Sequence, residues 1–390
     1  MIDVEQLAKQ ANEELARLVA FDTTSRDSNL ELIVYVEKLL ADLGIASKRV
    51  SNADGTKANL LATIGPMVEG GIVLSGHTDV VPVDGQAWSS DPFTLVQRGD
   101  KLYGRGSCDM KGFIALALAA TPHFVSAGLK KPIHLAWSYD EEIGCLGAPD
   151  LIAEIAASVP APSAVIVGEP TGMVAVSGHK GIAAYKVTVK GHEAHSSQTH
   201  LGVSANMAAI KLMASLDALA EKLKREADEG SVYVPKETTI TVGMIHGGTA
   251  GNILARECEF VFDVRTAPGV DTRALLADFH KEVHAMDAAL KARFPDAGAH
   301  IETRAINPAL APEDNGPAEA LARRLAGDNG PPRVVPYAAE AGQFQQAGYS
   351  VVICGPGYID QAHQPDEYVE VAQMQRGAAF MARLVEALTD

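Results

Sequence analysis

Imidazoles and carboxylates border apolar runs at five places in this chain. GIVLSGHTDVVP sets His77 after an apolar segment, with Asp79 two residues on. GRGSCDMKGF sets Asp109 among glycines ahead of a second apolar run. PIHLAWSYDEEIGC ends in Asp140, Glu141 and Glu142, SAVIVGEPT carries Glu169, and His363 in AHQPDEYV follows a Gly-Pro-Gly loop. Singly, each has an ordinary reading: a turn histidine, a helix N-cap, a solvated acidic turn. Three adjacent carboxylates leaving a buried element fit that reading badly, because they repel one another. Together these groups make a set of nitrogen and oxygen donors with no thiolates, suited to zinc, cobalt or manganese. More than four such ligands suggest two ions sharing a bridge. Residues two apart share a face in extended chain, so Asp79 could hold one nitrogen of His77 while the other meets a metal.

The elements that must position these groups follow from the spacing of apolar residues. Helical spacing predicts helices over 4–20 and 29–43, and apolar runs predict strands over 58–64 and 71–75. A buried helix over 112–127, a strand over 132–139, a helix over 147–157 and a strand over 163–168 continue the alternation. Apolar strands separated by helices imply a sheet covered on both faces, whose sites gather beyond the carboxyl ends of the strands. The style changes near residue 180. AAYKVTVKG alternates Tyr185, Val187 and Val189 with Lys186, Thr188 and Lys190, the mark of a sheet with one wet face. A helix over 204–227, strands over 238–245 and 257–265, a helix over 271–293 and a strand over 300–306 complete a β-α-β-β-α-β order. Buried character returns after Pro308, with a helix at 317–326, a strand at 350–355 and a helix at 370–388. The expectation is a catalytic domain of residues 1–178 and 307–390 with an inserted domain of residues 179–306.

Bulk composition narrows the function. The chain has 390 residues, 47% hydrophobic and 21% charged, with a formal charge of −16. That acidity disfavours nucleic acid and anionic membrane surfaces as partners. The longest strongly apolar stretch, FIALALAA, is far short of a membrane span, and the N-terminus lacks a basic-then-apolar leader pattern. Cys108, Cys145, Cys258 and Cys354 are scattered, as reduced thiols in a cytoplasm would be. No GxGxxG follows an early strand, so a dinucleotide-binding enzyme has no support.

In order, SGHTDVVP, GRGSCDMKG, DEEIGCLGA, VGEPT and AHQPDEYV resemble the signature of the zinc-dependent amidohydrolases and exopeptidases. The resemblance runs from about residue 5 to the C-terminus. It implies an α/β fold: a zinc-exopeptidase-like three-layer αβα catalytic domain carrying an inserted ferredoxin-like α+β domain that often builds a homodimer. It implies that Asp109 bridges two zinc ions, that His77 and Glu169 complete one metal, and that Glu142 and His363 complete the other. Asp79 would orient His77, Glu141 would be the general base, and the Asp109–Met110 peptide would be cis. His195, in GHEAHSS, resembles a histidine that stabilises an oxyanion, often in the partner subunit's site. Asn252 and Arg265 resemble a pair that holds a substrate carboxylate.

The implied substrate is a small N-acyl amino acid. The segments GGTAGNILARECEFVFDVR, EAGQFQQAG and CGPGYIDQAHQPDEYVE are most similar to members that cleave N2-acetyl-L-ornithine. Glu340, beside Gly342, is then a candidate to meet the ornithine cation; its other reading is a helix N-terminal acid favoured by the macrodipole. Succinyl-diaminopimelate, other N-acyl amino acids and dipeptides stay open as substrates of the same family. Outside enzymes, the alternative is a metal-binding or interaction protein that keeps the fold, which Glu141 beside a full ligand set argues against.

Overall fold

A computed structural model describes residues 2–389 of the chain. It divides into two compact units: Met1–Gly178 with Leu310–Arg333 and Ala339–Asp390, and His179–Ala309 with Val334–Ala338.

The first unit is built on a six-stranded sheet. Its order is Ser47–Ser51, Ala58–Ile64, Ile133–Ser138, Ile72–His77, Ala164–Pro170 and Val351–Gly355. The last four run parallel, and the first two are antiparallel to their neighbours. Residues of the four central strands are almost all buried, as a sheet covered on both faces requires. Leu60, Leu74, Leu135, Trp137, Ile166 and Val352 point to one face and share a core with helices Val4–Val19, Leu30–Asp42, Lys111–Ser126 and Val371–Thr389. Asp3 starts the first helix by accepting from the N–H groups of Glu5 and Gln6, both at 3.1 Å. Two glycines let the site's strands close up. A Cβ on Gly168 would lie 2.0 Å from the Phe113 ring, and one on Gly355 would lie 1.9 Å from the Gly168 carbonyl oxygen. Glu169 follows directly, so its position depends on both close approaches.

The second unit carries a four-stranded antiparallel sheet in the order Thr239–Gly247, Glu257–Thr266, Gly181–Lys190 and Gly298–Asn307. With helices Ala205–Arg225 and Ala277–Arg293 this is the β-α-β-β-α-β sandwich anticipated from the alternation. Tyr185, Val187, Val189, Phe260, Phe262 and Val264 are buried in its own core.

Element positions differ from expectation in several places. The helix expected over 271–293 breaks at Leu276 into Thr272–Leu275 and Ala277–Arg293. The strand Ser47–Ser51 reads SKRVS, which lacks an apolar face, and forms because it pairs along the edge of the sheet. Ala341–Gln346 is a six-residue helix that lacked the length to show a period. Among the described residues, no helix is long and apolar enough to cross a membrane.

Candidate metal centre

His77 ends the strand Ile72–His77, Glu169 lies near the end of Ala164–Pro170, and Glu141 and Glu142 follow Ile133–Ser138. These three parallel strands are neighbours, so their carboxyl ends deliver the groups to one place. Asp109 arrives in the turn ahead of helix Lys111–Ser126, and its peptide bond to Met110 is cis.

Asp109 is the hinge of the arrangement. Its Oδ1 lies 3.0 Å from His77 Nε2, and its Oδ2 lies 3.3 Å from His363 Nε2. Glu169 Oε1 lies 3.6 Å from His77 Nε2, and Glu142 Oε2 lies 3.0 Å from His363 Nε2. The carboxylate therefore presents one oxygen to each of two histidine–glutamate pairs. His77, Asp109 and Glu142, and likewise His77, Glu141 and Glu169, each bring three ligand atoms within 4.8 Å of one another. All five expected ligands, and Glu141 with them, are thus gathered in one unit.

Asp140, Glu141 and Glu142 diverge because the backbone turns between them. Asp140 adopts φ +57°, and Leu146 N–H closes the turn onto the Asp140 carbonyl at 3.0 Å. Asp140 faces away to an ion pair with Lys57 Nζ at 2.5 Å. Glu141 Oε1 accepts from Cys145 Sγ at 3.2 Å.

Asp79 holds His77 differently from the expectation. The Nδ1 contact is to the Asp79 backbone carbonyl, at 2.9 Å, with carboxylate Oδ1 behind it at 3.6 Å. The carboxylate instead accepts from Ser25 Oγ at 2.7 Å, Glu141 N–H at 3.1 Å and Glu142 N–H at 3.3 Å. One acid thus fixes the tautomer of His77 through its backbone and the acidic turn through its side chain. Ser25, 54 residues distant in sequence, and Cys145 carry no sequence signal for these contacts.

The electrostatics favour a cation. Burial raises the Glu141 carboxyl to about 8; His77 opposes this and the charges of Glu142 and Asp109 reinforce it. Burial, then Asp109, raise Glu142 to about 7, and the same two causes lift Glu169 well above the ordinary range. Burial also works to raise Asp109, but its bonds to His363 and His77 prevail and hold it low. His363 is pushed up to about 10 by Asp109 and then Glu142. Glu169 Oε1 is a buried oxygen without a hydrogen-bond partner. Packed carboxylates, two imidazoles and an oxygen lacking a donor form a donor set that fits divalent ions.

Glu340 has another use than the one expected. It is 1% exposed; its Oε1 accepts from Ser75 Oγ at 2.5 Å and its Oε2 from Ser138 Oγ at 2.7 Å. Those serines lie on the strands leading to His77 and to the acidic turn. Buried, and with each oxygen already bonded to a strand serine, Glu340 braces the strands. Gly342, at the second position of the helix Ala341–Gln346, is buried.

In the second unit, the GHEAHSS and GGTAGN loops meet: Ser196 N–H donates to the Asn252 carbonyl at 2.9 Å, and Leu254 N–H to the Ala194 carbonyl at 2.9 Å. His195 and Asn252 are both exposed there. Ser197 N–H donates to His195 Nδ1 at 3.2 Å, which leaves the proton of the neutral ring on Nε2. Arg265 does not join them. It lies at the opposite end of the ten-residue strand Glu257–Thr266, paired with Asp263 at 2.8 Å. That strand spans roughly 30 Å.

Known proteins are similar to this chain in sequence and in fold. The chain is 34% identical over 373 residues to the acetylornithine deacetylase of Proteus mirabilis (strain HI4320), covering 94% of this chain and 92% of that protein. It is 35% identical over 384 residues to that of Myxococcus xanthus, covering 95% of each. An M20 family metallo-carboxypeptidase from Sulfolobus solfataricus superposes with a TM-score of 0.79 at 18% identity, over 97% of this chain and 99% of that one. A dinuclear metal binding peptidase of the M20 family from Bacillus subtilis superposes at 0.64 with 14% identity, over 99% and 98%. The profile of peptidase family M20/M25/M40 matches residues 73–387. With His77, Asp109, Glu141, Glu142, Glu169 and His363 all inside that span, the chain belongs to peptidase family M20/M25/M40 and is a metal-dependent hydrolase of amide bonds.

Proposed function

We propose that the protein cleaves N2-acetyl-L-ornithine to L-ornithine and acetate, a step of arginine biosynthesis, using two zinc ions held by His77, Asp109, Glu142, Glu169 and His363. The observation that carries the hydrolytic reading is Asp109 facing both histidine–glutamate pairs with Glu141 beside them. The names of relatives at 34% and 35% identity support the substrate. The mixed imidazole and carboxylate donors suit zinc, and cobalt or manganese are the alternatives. A cytoplasmic setting fits the four free thiols.

Two ions at this site supply Lewis-acid polarisation of the acyl carbonyl and a water of lowered pKa. Glu141 takes the proton of the attacking water as the new C–O bond forms, then delivers it to the amine as the C–N bond breaks. Asp79 keeps His77 in one tautomer and holds the backbone of Glu141 and Glu142. The Nε2–H of His195 suits an oxyanion, the guanidinium of Arg265 a substrate carboxylate, and Asn252 a polar group nearby. A preference for N2-acetyl-L-ornithine of at least ~10-fold in kcat/KM is expected over succinyl-diaminopimelate, other N-acetyl amino acids and dipeptides. Preferential cleavage of any other amide in that panel would reassign the substrate.

His195 with Asn252, and Arg265, sit at opposite ends of one sheet, so we assign them to a shared site completed by a second copy. The edge strand Thr239–Gly247 offers Met244 and Ile245 to solvent, and the helix Ala205–Arg225 offers Met207 and Ile210. An unpaired strand edge with exposed apolar side chains suits a homodimer contact. His195→Ala and Arg265→Ala should each be inactive alone and regain up to about a quarter of wild-type activity after subunit exchange. That figure follows from chance pairing of subunits in a closed two-fold dimer. Absence of complementation between exchanging subunits would place both roles in one chain.

A further inference from the structure

Asp109 and His363 are the two ligands that the sheet does not position. Asp109 sits in the turn after GRGSC, and His363 in a loop at φ +61° with its side chain 51% exposed. Four residues beyond His363 lies Glu367, 1% exposed. Its carboxylate receives four donors. Oε1 accepts from Cys108 N–H at 2.9 Å and from Asp109 N–H at 3.0 Å. Oε2 accepts from Gly106 N–H at 3.1 Å and from Arg105 Nη1 at 2.6 Å. The Glu367 carbonyl also accepts from Gly104 N–H at 2.9 Å.

Arg105, itself fully buried, carries the connection back to His363. Its Nη2 donates to Gln86 Oε1 at 2.6 Å, and its guanidinium lies over the Trp88 ring at 5.1 Å. Gln86 Nε2 then donates to the His363 carbonyl at 2.9 Å. The loop is closed: Asp109 backbone, Glu367, Arg105, Gln86, His363 backbone. Burying a carboxylate and a guanidinium is costly unless geometry and hydrogen bonds compensate, and here both oxygens are fully used. The turn is buried, so Glu367 is the acceptor that the Gly106, Cys108 and Asp109 N–H groups need, and that acceptor comes from a segment more than 250 residues away. The carboxylate's distinctive effect is to lock two chain segments together at the two ligands.

We propose that Glu367, through Arg105 and Gln86, is a positioning residue that sets the separation of Asp109 and His363 and so determines affinity for the ion between Asp109, Glu142 and His363. The ion held by His77 and Glu169 depends less on it, because His77 and Glu169 are fixed by neighbouring strands. The inference rests on the two-ion reading of the centre and not on the identity of the substrate.

The test is stepwise Zn²⁺ binding to chelator-stripped protein, by calorimetry in a metal-buffering chelator. Wild type should take up two ions. Glu367→Gln turns an amide NH₂ toward backbone donors and should weaken one ion ~10–100-fold, with a smaller change at the other. Gln86→Ala, at a half-buried loop position that leaves the core intact, should weaken the same ion by several-fold. If Glu367→Gln does not fold, the Gln86→Ala result decides. Two unchanged affinities in a folded Glu367→Gln, or in Gln86→Ala where that variant decides, overturn the proposal. A wild-type chain that takes up one ion overturns the two-ion reading itself, a result distinct from either variant's.

Discussion

Glu141→Gln should lower kcat by about a thousandfold while both ions stay bound, because general acid–base catalysis is worth about 10²–10⁴. The substitution keeps size and polarity but removes the only group in the acidic turn that is assigned proton transfer. Glu141 is not bonded to either histidine of the centre; its Oε1 partner is the Cys145 thiol. Its neighbour provides the contrast. Glu142 lies 3.0 Å from His363 and 6% exposed, so Glu142→Gln should chiefly cost metal retention, read by metal analysis after dialysis. Near-normal turnover of metal-loaded Glu141→Gln would remove the general-base role. Equal metal loss from both variants would remove the division of labour between them.

Removing the metals should destabilise the first unit, and the loss should deepen as pH rises. Glu141 and Glu142 are raised from 4.5 to about 8 and about 7, and Glu169 is raised with them. Between roughly pH 4.5 and 8 the folded metal-free chain therefore holds more protons than the unfolded chain, and its stability falls as pH increases. His363, raised from 6.5 to about 10, pulls in the same direction from neutrality upward. Asp109 is lowered, so its contribution is lost only in acid, outside this window. Metal-free protein should melt ~5–10 °C lower at pH 8 than at pH 6, and zinc should restore more at pH 8 than at pH 6. Protection of amide hydrogens at residues 140–146 should drop in the stripped protein. A metal-free form as stable and as protected there as the loaded one would mean that the ions do not relieve the crowding of these acids.

Much of this site was legible because its ligands sit at the ends of long apolar runs. GIVLSGH and SAVIVGE declare both the strand and the group delivered at its end, and strict alternation in AAYKVTVKG marks the change to a sheet with one exposed face. What was illegible depends on partners distant in sequence. Ser75 and Ser138 are ordinary strand residues until Glu340, more than 200 positions on, lands between them. Nothing local distinguishes a glutamate that meets a substrate from one that braces two strands, and burial settled the difference. The i, i+2 relation of an extended chain sets Asp79 beside His77. Leaving the strand brings its carbonyl, not its carboxylate, nearest the ring. The resemblance pairs Asn252 with Arg265, and the ten-residue strand Glu257–Thr266 sets them at its opposite ends.

The most direct test of the account is a titration of chelator-stripped protein with Zn²⁺ that follows, in the same samples, bound metal per chain and release of ornithine from N2-acetyl-L-ornithine. The account predicts no turnover in the stripped protein, turnover that rises with metal uptake, and full activity when two ions are bound. Full turnover in protein carrying only trace metal, or none after two ions have bound, would contradict it.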